Sequence, residues 1–457
     1  MVYAVALETR TTKDEILNMY LNSVFLGNQV AGMEMASKLY FSSMSSSLTP
    51  EQMQALINTI RSPSEGNPWA QGSVEVDMVK EKFKESFFEM VNSEEAFEVE
   101  QWCDEAAKTC ELSTDRKLSE AVREIVQSNL SKMSDKHATH AAVVITKEPE
   151  HEILAVIGSP SPRSTLAGFQ INMATQPRPI GSTVKPFIYA LGFEKGLRPY
   201  SLVNDREYKF TTAEGFAHYP KNFDYEYRGM VSLHESLSNS LNVPAVKVLE
   251  YVTLDAFEDF LLKRVGVKSL QPIATYQYGV ALGQLEIDLL TLTHLFSIFP
   301  NGGVLRNLDV GKNIIRKNVP MEKMQEETRV FDPGDVQLIN KILSDRLKAV
   351  DQFGLTGDLN IAQKNGLNNI ALKTGTSREY HDSWVVGYTP DFVVGVWVGN
   401  TDNTAMDDIT GQIGAGAIWH DVMSYLLTTP YNKESTFAFD ELGTFTFDEP
   451  VSNGVLN

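Results

Sequence analysis

Residues 370–399 read IALKTGTSREYHDSWVVGYTPDFVVGVWVG. Three runs rich in β-branched and aromatic residues, 370–375, 383–388 and 392–399, are separated by short polar stretches, which predicts three strands in succession. In the last run Val393, Val394, Val396, Trp397 and Val398 are apolar at odd and even positions alike, so this strand is expected inside a sheet covered by helices on both faces. The first run carries Lys373-Thr374-Gly375-Thr376, a cation, two hydroxyls and a glycine that run against ordinary strand preference. Glycine in a strand permits close backbone approach. A peptide paired along it through the main chain would leave Lys373 and Thr376 to hold a carboxylate.

Working outward, 141–146 and 153–157 are two more β-rich runs, joined by KEPEHE and read as a hairpin. The sequence ahead of them is helical in pattern. Ile16, Leu17, Tyr20, Leu21, Val24 and Phe25 recur at helical spacing in 13–26, a second helix is read over 31–41, and Thr49 with Gln52 forms a capping-box signature that opens a helix over 50–61. Pro63, Gly66 and Pro68 close this block. Residues 74–136 are charged and helical in pattern, with Phe83, Phe87, Phe88 and Met90 as a packing stripe. These shifts divide the chain into a helical block at 1–70, a helical linker at 71–136, a mixed α+β domain at 137–428 and an acidic, aromatic tail at 429–457.

Two further short patterns fall in the mixed domain. Ser182 follows Gly181 and precedes the apolar run Phe187, Ile188, Ala190 and Leu191, which Gly196 stops, so a helix is expected to begin at the serine. Pro186 is tolerated only in the first turn. Lys185, three residues on, then shares the face of Ser182, and the free amides of that turn suit a developing oxyanion. Ser240-Leu241-Asn242 lies 58 residues after Ser182, with alternation that sets Ser240 and Asn242 on one side and Leu241 inward. Val243 precedes Pro244 and is therefore expected to be extended.

A serine needs a base to become a nucleophile, and a lysine at its reference pKa of about 10.4 is protonated at neutral pH. Burial and a second cation, Lys373, would both disfavour the charged form of Lys185, which could then take the Ser182 proton. Histidine offers no alternative base or zinc site: His137 and His140 lack a third ligand nearby and no H-E-x-x-H occurs, so all eight histidines read as structural or surface residues. No metal or other cofactor is called for.

Composition narrows the partners. The chain has 457 residues, a formal charge of −19 and 42% hydrophobic residues, enough for two or three cores and ill suited to a nucleic-acid backbone. Cys103 and Cys110, the two cysteines, stand seven apart in a helical segment, about 10 Å along one axis and beyond disulfide reach. No window of 18 apolar residues predicts a spanning helix, and MVYAVALETR at the start lacks the basic region and cleavage site of a signal peptide. That opening reads like the middle of a helix.

Taken together, GSTVKPFIYALGFEKG (181–196), SLSNSLNVPAVKVLE (236–250) and the stretch running from Ala371 to Asn403 resemble the transpeptidase domain of class A, bifunctional penicillin-binding proteins, closest to the 1C type. The likeness covers 137–428, with Ile180 standing where the family more often has proline. It implies the penicillin-recognising serine transpeptidase (β-lactamase-like) fold, a five-stranded antiparallel sheet flanked by helices. It also implies D,D-transpeptidation of peptidoglycan stem peptides through a Ser182 acyl-enzyme that β-lactams intercept. On that resemblance Lys185 is the base, Ser240 relays a proton, Asn242 orients the donor amide, and Lys373 with Thr374, Gly375 and Thr376 binds the terminal carboxylate. The oxyanion would lie between the amides of Ser182 and Thr376. A D,D-carboxypeptidase and a non-catalytic β-lactam-binding scaffold share these residues, whereas the deacylating glutamate loop of class A β-lactamases has no counterpart.

TKDEILNMYLNSVFLGN (12–28), AGMEMASKLYF (31–41) and RSPSEGNPW (61–69) resemble the end of the family's lysozyme-like lipid II glycosyltransferase domain. The family's catalytic glutamates and donor-site motif would fall before Met1, so no glycan polymerisation is expected. Membrane association is expected only through an N-terminal anchor that this sequence lacks. The family's place is the bacterial cell envelope, at the outer face of the cytoplasmic membrane.

Overall fold

The computed structural model describes residues 32–41, 44–61, 111–162, 164, 166–211, 217–309, 311–312, 327–345, 369–442 and 455–456, with residues 12, 13, 17, 20, 21, 24 and 26 ahead of them. The phenylalanine stripe at 83–90, both cysteines, Pro63, Gly66 and Pro68 lie outside the described residues. The chain divides into two compact units, Met1–Phe97 with Gly158–Asn172, and Glu98–Ile157 with Met173–Asn457.

In the first unit, helix α1 spans Met33–Phe41 and α2 spans Pro50–Arg61. The start of α2 is the capping box expected from Thr49. The Thr49 amide donates to Gln52 Oε1 at 2.9 Å and the Gln52 amide to Thr49 Oγ1 at 3.3 Å, pairing two donors that a helix start otherwise leaves open. The Tyr40 hydroxyl donates to the Leu26 carbonyl at 2.6 Å. Of the helix read over 13–26, the described positions Lys13, Leu17, Tyr20 and Leu21 are helical.

The second unit is built on one antiparallel sheet. Its strands are β1 (His140–Lys147), β2 (Glu152–Ile157), β5 (Ala371–Thr376), β6 (Asp382–Tyr388) and β7 (Phe392–Gly399), in the order β5-β6-β7-β1-β2. The register pairs Lys373 with Val386, Thr376 with Ser383, and Trp384 with Trp397. Every residue of β7 is buried, as its two-sided apolar pattern requires. Strands β3 (Leu202–Asp205) and β4 (Gly229–Ser232) pair antiparallel in a smaller sheet, which Val455–Leu456 joins parallel to β3.

Helices cover both faces. On one, α3 (Arg116–Lys132) and α8 (Ala415–Leu426) pack Leu118, Val122, Val126, Ile418, Trp419 and Val422 against Val143, Val385, Val394 and Val396. Gly387 is required there, because a Cβ would fall 2.4 Å from the Trp419 ring. On the other face lie α4 (Lys185–Glu194) and α6 (Leu289–Phe296), with α5 (Asn242–Val252) against α4 and α7 (Pro333–Ser344) beside them. Phe187, Phe296, Phe299 and Tyr388 join there through ring contacts of 5.1–6.3 Å. Each such fully buried side chain stabilises the fold by about 1.5–3 kcal/mol. Past α8, the amides of Lys433 and Ser435 donate to Asp391 Oδ2, so the first residues of the acidic tail run along this unit.

At the β1–β2 turn Glu148, His151 and Ser297 are buried in a polar cluster. Glu148 accepts from Thr146 Oγ1 at 2.8 Å and Asn301 Nδ2 at 2.6 Å, the same Nδ2 lies 2.8 Å from His151 Nε2, and His151 Nδ1 lies 3.0 Å from Ser297 Oγ. Burial lifts the Glu148 carboxyl from 4.5 to about 8, against the pull of its hydrogen bonds, and holds the His151 imidazole down from 6.5 to about 3. Between pH 4.5 and 8 the folded chain keeps a Glu148 proton that the unfolded chain has shed, so stability falls as pH rises through that window. Between pH 3 and 6.5 the unfolded chain protonates His151 and the folded one does not, so stability falls as pH drops. Buried His140, held down to about 4, adds to the acid decline. Glu148→Gln is expected to abolish the alkaline decline and leave the acid one, read as melting temperature across the pH range; an unchanged alkaline slope would refute this assignment.

Candidate active site

Three backbones meet where Ser182 begins. Gly181 has φ +56°, its amide donates to the Gly283 carbonyl at 3.0 Å, and the Ile180 amide donates to Leu285 at 3.0 Å. A Cβ at Gly181 would lie 2.7 Å from the Thr376 amide nitrogen, and one at Gly283, where φ is +78°, would lie 2.0 Å from the Gly181 carbonyl. The segment before Ser182, the Gly283 turn and the end of β5 are therefore in backbone contact.

The helix expected at Ser182 begins more tightly. Residues Gly181–Val184 form a 3₁₀ turn, and the α-helical α4 starts at Lys185, with Pro186 in its first turn. A 3₁₀ lead-in is a common way for a helix to start, and here the left-handed Gly181 imposes it. Gly196, φ +98°, ends the helix as expected. The Ser182 hydroxyl is partly exposed and makes no hydrogen bond among the described residues, while Lys185 is 0% exposed.

The second pattern closes over the lysine. Lys185 Nζ donates to the carbonyls of Ser240 at 2.6 Å and Leu241 at 3.1 Å and to Asn242 Oδ1 at 2.8 Å, with Ser240 Oγ at 3.4 Å. Ser240 has φ +56°, which turns both its carbonyl and its side chain toward Lys185. Val243 is not extended as the following proline suggested. It is helical, in the first turn of α5, because Pro244 lies where a missing N–H costs no helical bond. Leu241 precedes this helix and has no polar side chain to cap it; it is buried instead. The open Asn242 amide is capped from a distance, donating to Asn222 Oδ1 at 2.8 Å, and Asn242 Nδ2 donates to the Lys221 carbonyl at 2.6 Å.

The third pattern arrives on β5. Lys373, 3% exposed, donates to Ser240 Oγ at 2.8 Å and to the Thr374 carbonyl at 2.9 Å. Gly375 is needed for the approach, since a Cβ would lie 2.6 Å from the Ile180 carbonyl. Thr376 Oγ1 accepts from the Gly411 amide at 2.9 Å. Thr374 is buried. Beyond the strand, buried Asp382 accepts from Ser377 Oγ at 2.8 Å and Trp397 Nε1 at 2.9 Å, bracing the β5–β6 connection. Burial raises its carboxyl above the usual range against those bonds.

Electrostatics at Lys185 is a contest. Burial, the larger influence, and the Lys373 cation push its amine well below the ordinary value, while the Asp205 carboxylate pulls the other way. Three carbonyl oxygens around Nζ also favour the ammonium, which alone can donate to all of them. Burial and the Lys373 cation prevail, setting the group nearer to neutrality than a surface lysine, the condition for accepting a proton.

Ser240, Asn242, Lys185 and Lys373 are thus joined by hydrogen bonds, and Ser182, Gly375 and Thr376 stand on the backbones that frame them. Residue reading passed over Asp205, Asn222, Gly283, Asp382 and Gly411. None lies in a short pattern with the others, and only the fold brings them together. Among the described residues no group of three or more His, Cys, Asp or Glu side chains could hold a metal.

The model of the penicillin binding protein transpeptidase domain matches residues 141–424, and that of a transglycosylase matches residues 1–90. Penicillin-binding protein 1C of Escherichia coli (strain K12) is 25% identical over 453 residues, covering 94% of this chain and 56% of that protein. Penicillin-binding protein 1B of Vibrio cholerae is 26% identical over 471 residues (92% and 58%), and penicillin-binding protein 1A of Aquifex aeolicus is 30% identical over 320 (67% and 39%). The chain spans between about two fifths and three fifths of the length of these relatives. The crystal structure of penicillin-binding protein 1A from Haemophilus influenzae superposes with a TM-score of 0.60 at 19% identity, covering 95% of this chain and 88% of that one. PonA1 from Mycobacterium tuberculosis in complex with penicillin V gives 0.57 at 18%, covering 76% and 92%.

Proposed function

Because the chain belongs to the penicillin-binding protein transpeptidase family, as a class A member with transpeptidase and transglycosylase matches, we propose that it is a D,D-transpeptidase that cross-links peptidoglycan stem peptides through Ser182. The observation that carries this reading is the meeting of three separate patterns at one hydroxyl: Ser240 Oγ lies 2.8 Å from Lys373 Nζ and 3.4 Å from the buried Lys185 Nζ.

In the reaction Ser182 Oγ attacks the carbonyl carbon of the D-Ala-D-Ala amide, and its proton passes to Lys185. The amides of Ser182 and Thr376 receive the oxyanion. The carbon–nitrogen bond breaks, Ser240 delivers its proton to the departing D-Ala amine and takes the one held on Lys185 in its place, and an ester to Ser182 remains. An amine of a second stem attacks that ester, forming the new amide and returning the proton to Ser182. Lys373, Thr374 and Thr376 hold the terminal carboxylate of the donor, and Asn242 orients the donor amide. A β-lactam presents its ring amide to the same serine. The reaction belongs where cell-wall precursors lie, at the outer face of the cytoplasmic membrane; among the described residues no helix is long and apolar enough to cross a membrane.

The test is labelling with a fluorescent penicillin, peptide mapping of the label, and mass analysis of a reaction with a stem pentapeptide and an amine acceptor. Label on Ser182 with cross-linked dimer is expected. Label with free tetrapeptide alone would replace transfer by hydrolysis, and absence of label would leave a non-catalytic scaffold.

A further inference from the structure

We propose that Asp205 and Asn222 are positioning residues for the Ser182 chemistry, holding Asn242, and through it Lys185, by a chain of hydrogen bonds that begins on a buried carboxylate. The inference rests on the reading of Ser182 and Lys185 above and extends it to residues outside the three short patterns.

The chain can be followed bond by bond. Asp205, at the end of β3, is 0% exposed, and its Oδ2 accepts from Asn222 Nδ2 at 2.8 Å and from the Arg228 amide at 2.9 Å. Asn222 Nδ2 has two protons and both are committed, the second to the Glu226 carbonyl at 2.8 Å. The orientation of the Asn222 side-chain amide is thereby set, and its Oδ1 faces the backbone amide of Asn242 at 2.8 Å. With Lys221 accepting from Asn242 Nδ2 at 2.6 Å, two consecutive residues grip Asn242 at backbone and side chain together. The freed Asn242 Oδ1 meets Lys185 Nζ at 2.8 Å.

Local stability alone does not call for this carboxylate. Asp205 Oδ1 is buried with no partner, an arrangement that lowers stability relative to a neutral side chain of the same shape. A helix start is ordinarily capped by its own preceding residue; here Leu241 leaves that place empty, and the cap comes from 20 residues upstream. The result is that α5 cannot shift at its first residue without breaking the bonds that hold Asn242 against Lys185. Charged groups that act on Asp205 include the Lys185, Arg228 and Lys247 cations and the Asp224 carboxylate, and Lys247 donates to the Asn204 carbonyl at 2.8 Å.

The experiment measures the rate of Ser182 acylation by fluorescent penicillin, at saturating and sub-saturating concentrations, with a thermal melt of each variant. Asn222→Asp keeps the acceptor for Asn242 but removes both donors and puts two carboxylates in contact. Asp205→Asn keeps an acceptor and removes the charge. The swap Asp205→Asn with Asn222→Asp restores one donor, one acceptor and one carboxylate. Asn222→Asp is expected to lower the saturated acylation rate roughly 30-fold, somewhat less than the effect of moving a reacting group by about 1 Å. Half-saturation should change less than about 2-fold, and the swap should recover most of the rate. Asn222→Ala, which adds no charge, is read in parallel below its melting transition and should lose rate in the same parameter. Wild-type saturated rates in folded Asn222→Ala, or a swap no faster than Asn222→Asp, would overturn the proposal. A wild-type chain that takes no label on Ser182 would instead remove the functional reading beneath it.

Discussion

Lys185→Met is expected to cut the acylation of Ser182 by about 10³–10⁴-fold, the upper range for loss of a positioned general base, while the protein remains folded. Methionine reproduces the unbranched apolar stem of lysine, without the terminal amine, and has no proton to give or take. Two opposing effects decide stability. Removing a buried amine relieves a desolvation cost of several kcal/mol if it is charged, whereas the Ser240 and Leu241 carbonyls and Asn242 Oδ1 lose their donor, at about 1–3 kcal/mol for each group left unpaired. The two effects partly offset in stability, and neither enters the labelling rate of the folded protein. Labelling rates and thermal melts of the same preparation separate them, and a variant labelled within about 10-fold of wild type would exclude Lys185 as the base. Lys373→Ala complements it. Without that cation Lys185 holds its proton to higher pH, so the acid limb of the acylation profile should move upward.

Gly283→Ala is expected to damage acylation and stability together without touching any group that reacts. At φ +78° an L side chain is strained by about 1–2 kcal/mol, and its Cβ would lie 2.0 Å from the Gly181 carbonyl, backbone that cannot swing aside. The segment carrying Ser182 must then move off the Gly283 turn, although Gly181 already lies against Thr376 of β5. A stability loss of about 3 kcal/mol or more and an acylation rate lower by about 100-fold should follow together. Gly302→Ala is the control: φ is positive there too, at +58°, but nothing lies within 4 Å of its Cβ position. It shares the strain without the collision, so equal acylation losses in the two variants would remove the backbone contact as the cause.

How much of this was legible in residues alone follows from the range of the interactions. The five sheet strands were readable because alternation, β-branching and the two-sided apolar run in β7 are local properties of the chain. The Thr49 cap was readable for the same reason. Ser182, Lys185 and Lys373 were legible as residue types, and the burial of Lys185 followed from the chemistry it would need; the burial of Lys373 did not. The 3₁₀ turn at Gly181 was not, because it depends on Gly283, about a hundred residues away in the chain and a contact no local periodicity encodes. Val243 misled because a preceding-proline preference yields to a first-turn helical position. Asp205 and Asn222 carry no spacing signal, since their roles arise from a cap supplied by a distant segment.

The central sheet pairs β1 with β7, so His140 lies opposite Gly399 across most of the unit's chain length. Closing such a long loop is entropically late and slow relative to forming hairpins. Ser182 lies between the two partners in sequence, and Lys373 arrives with the second. Reactivity toward a β-lactam should therefore appear only after that closure, which makes covalent labelling a clock for completion of folding: a chain caught with its hairpins formed but its sheet unjoined would look structured and yet take up no drug.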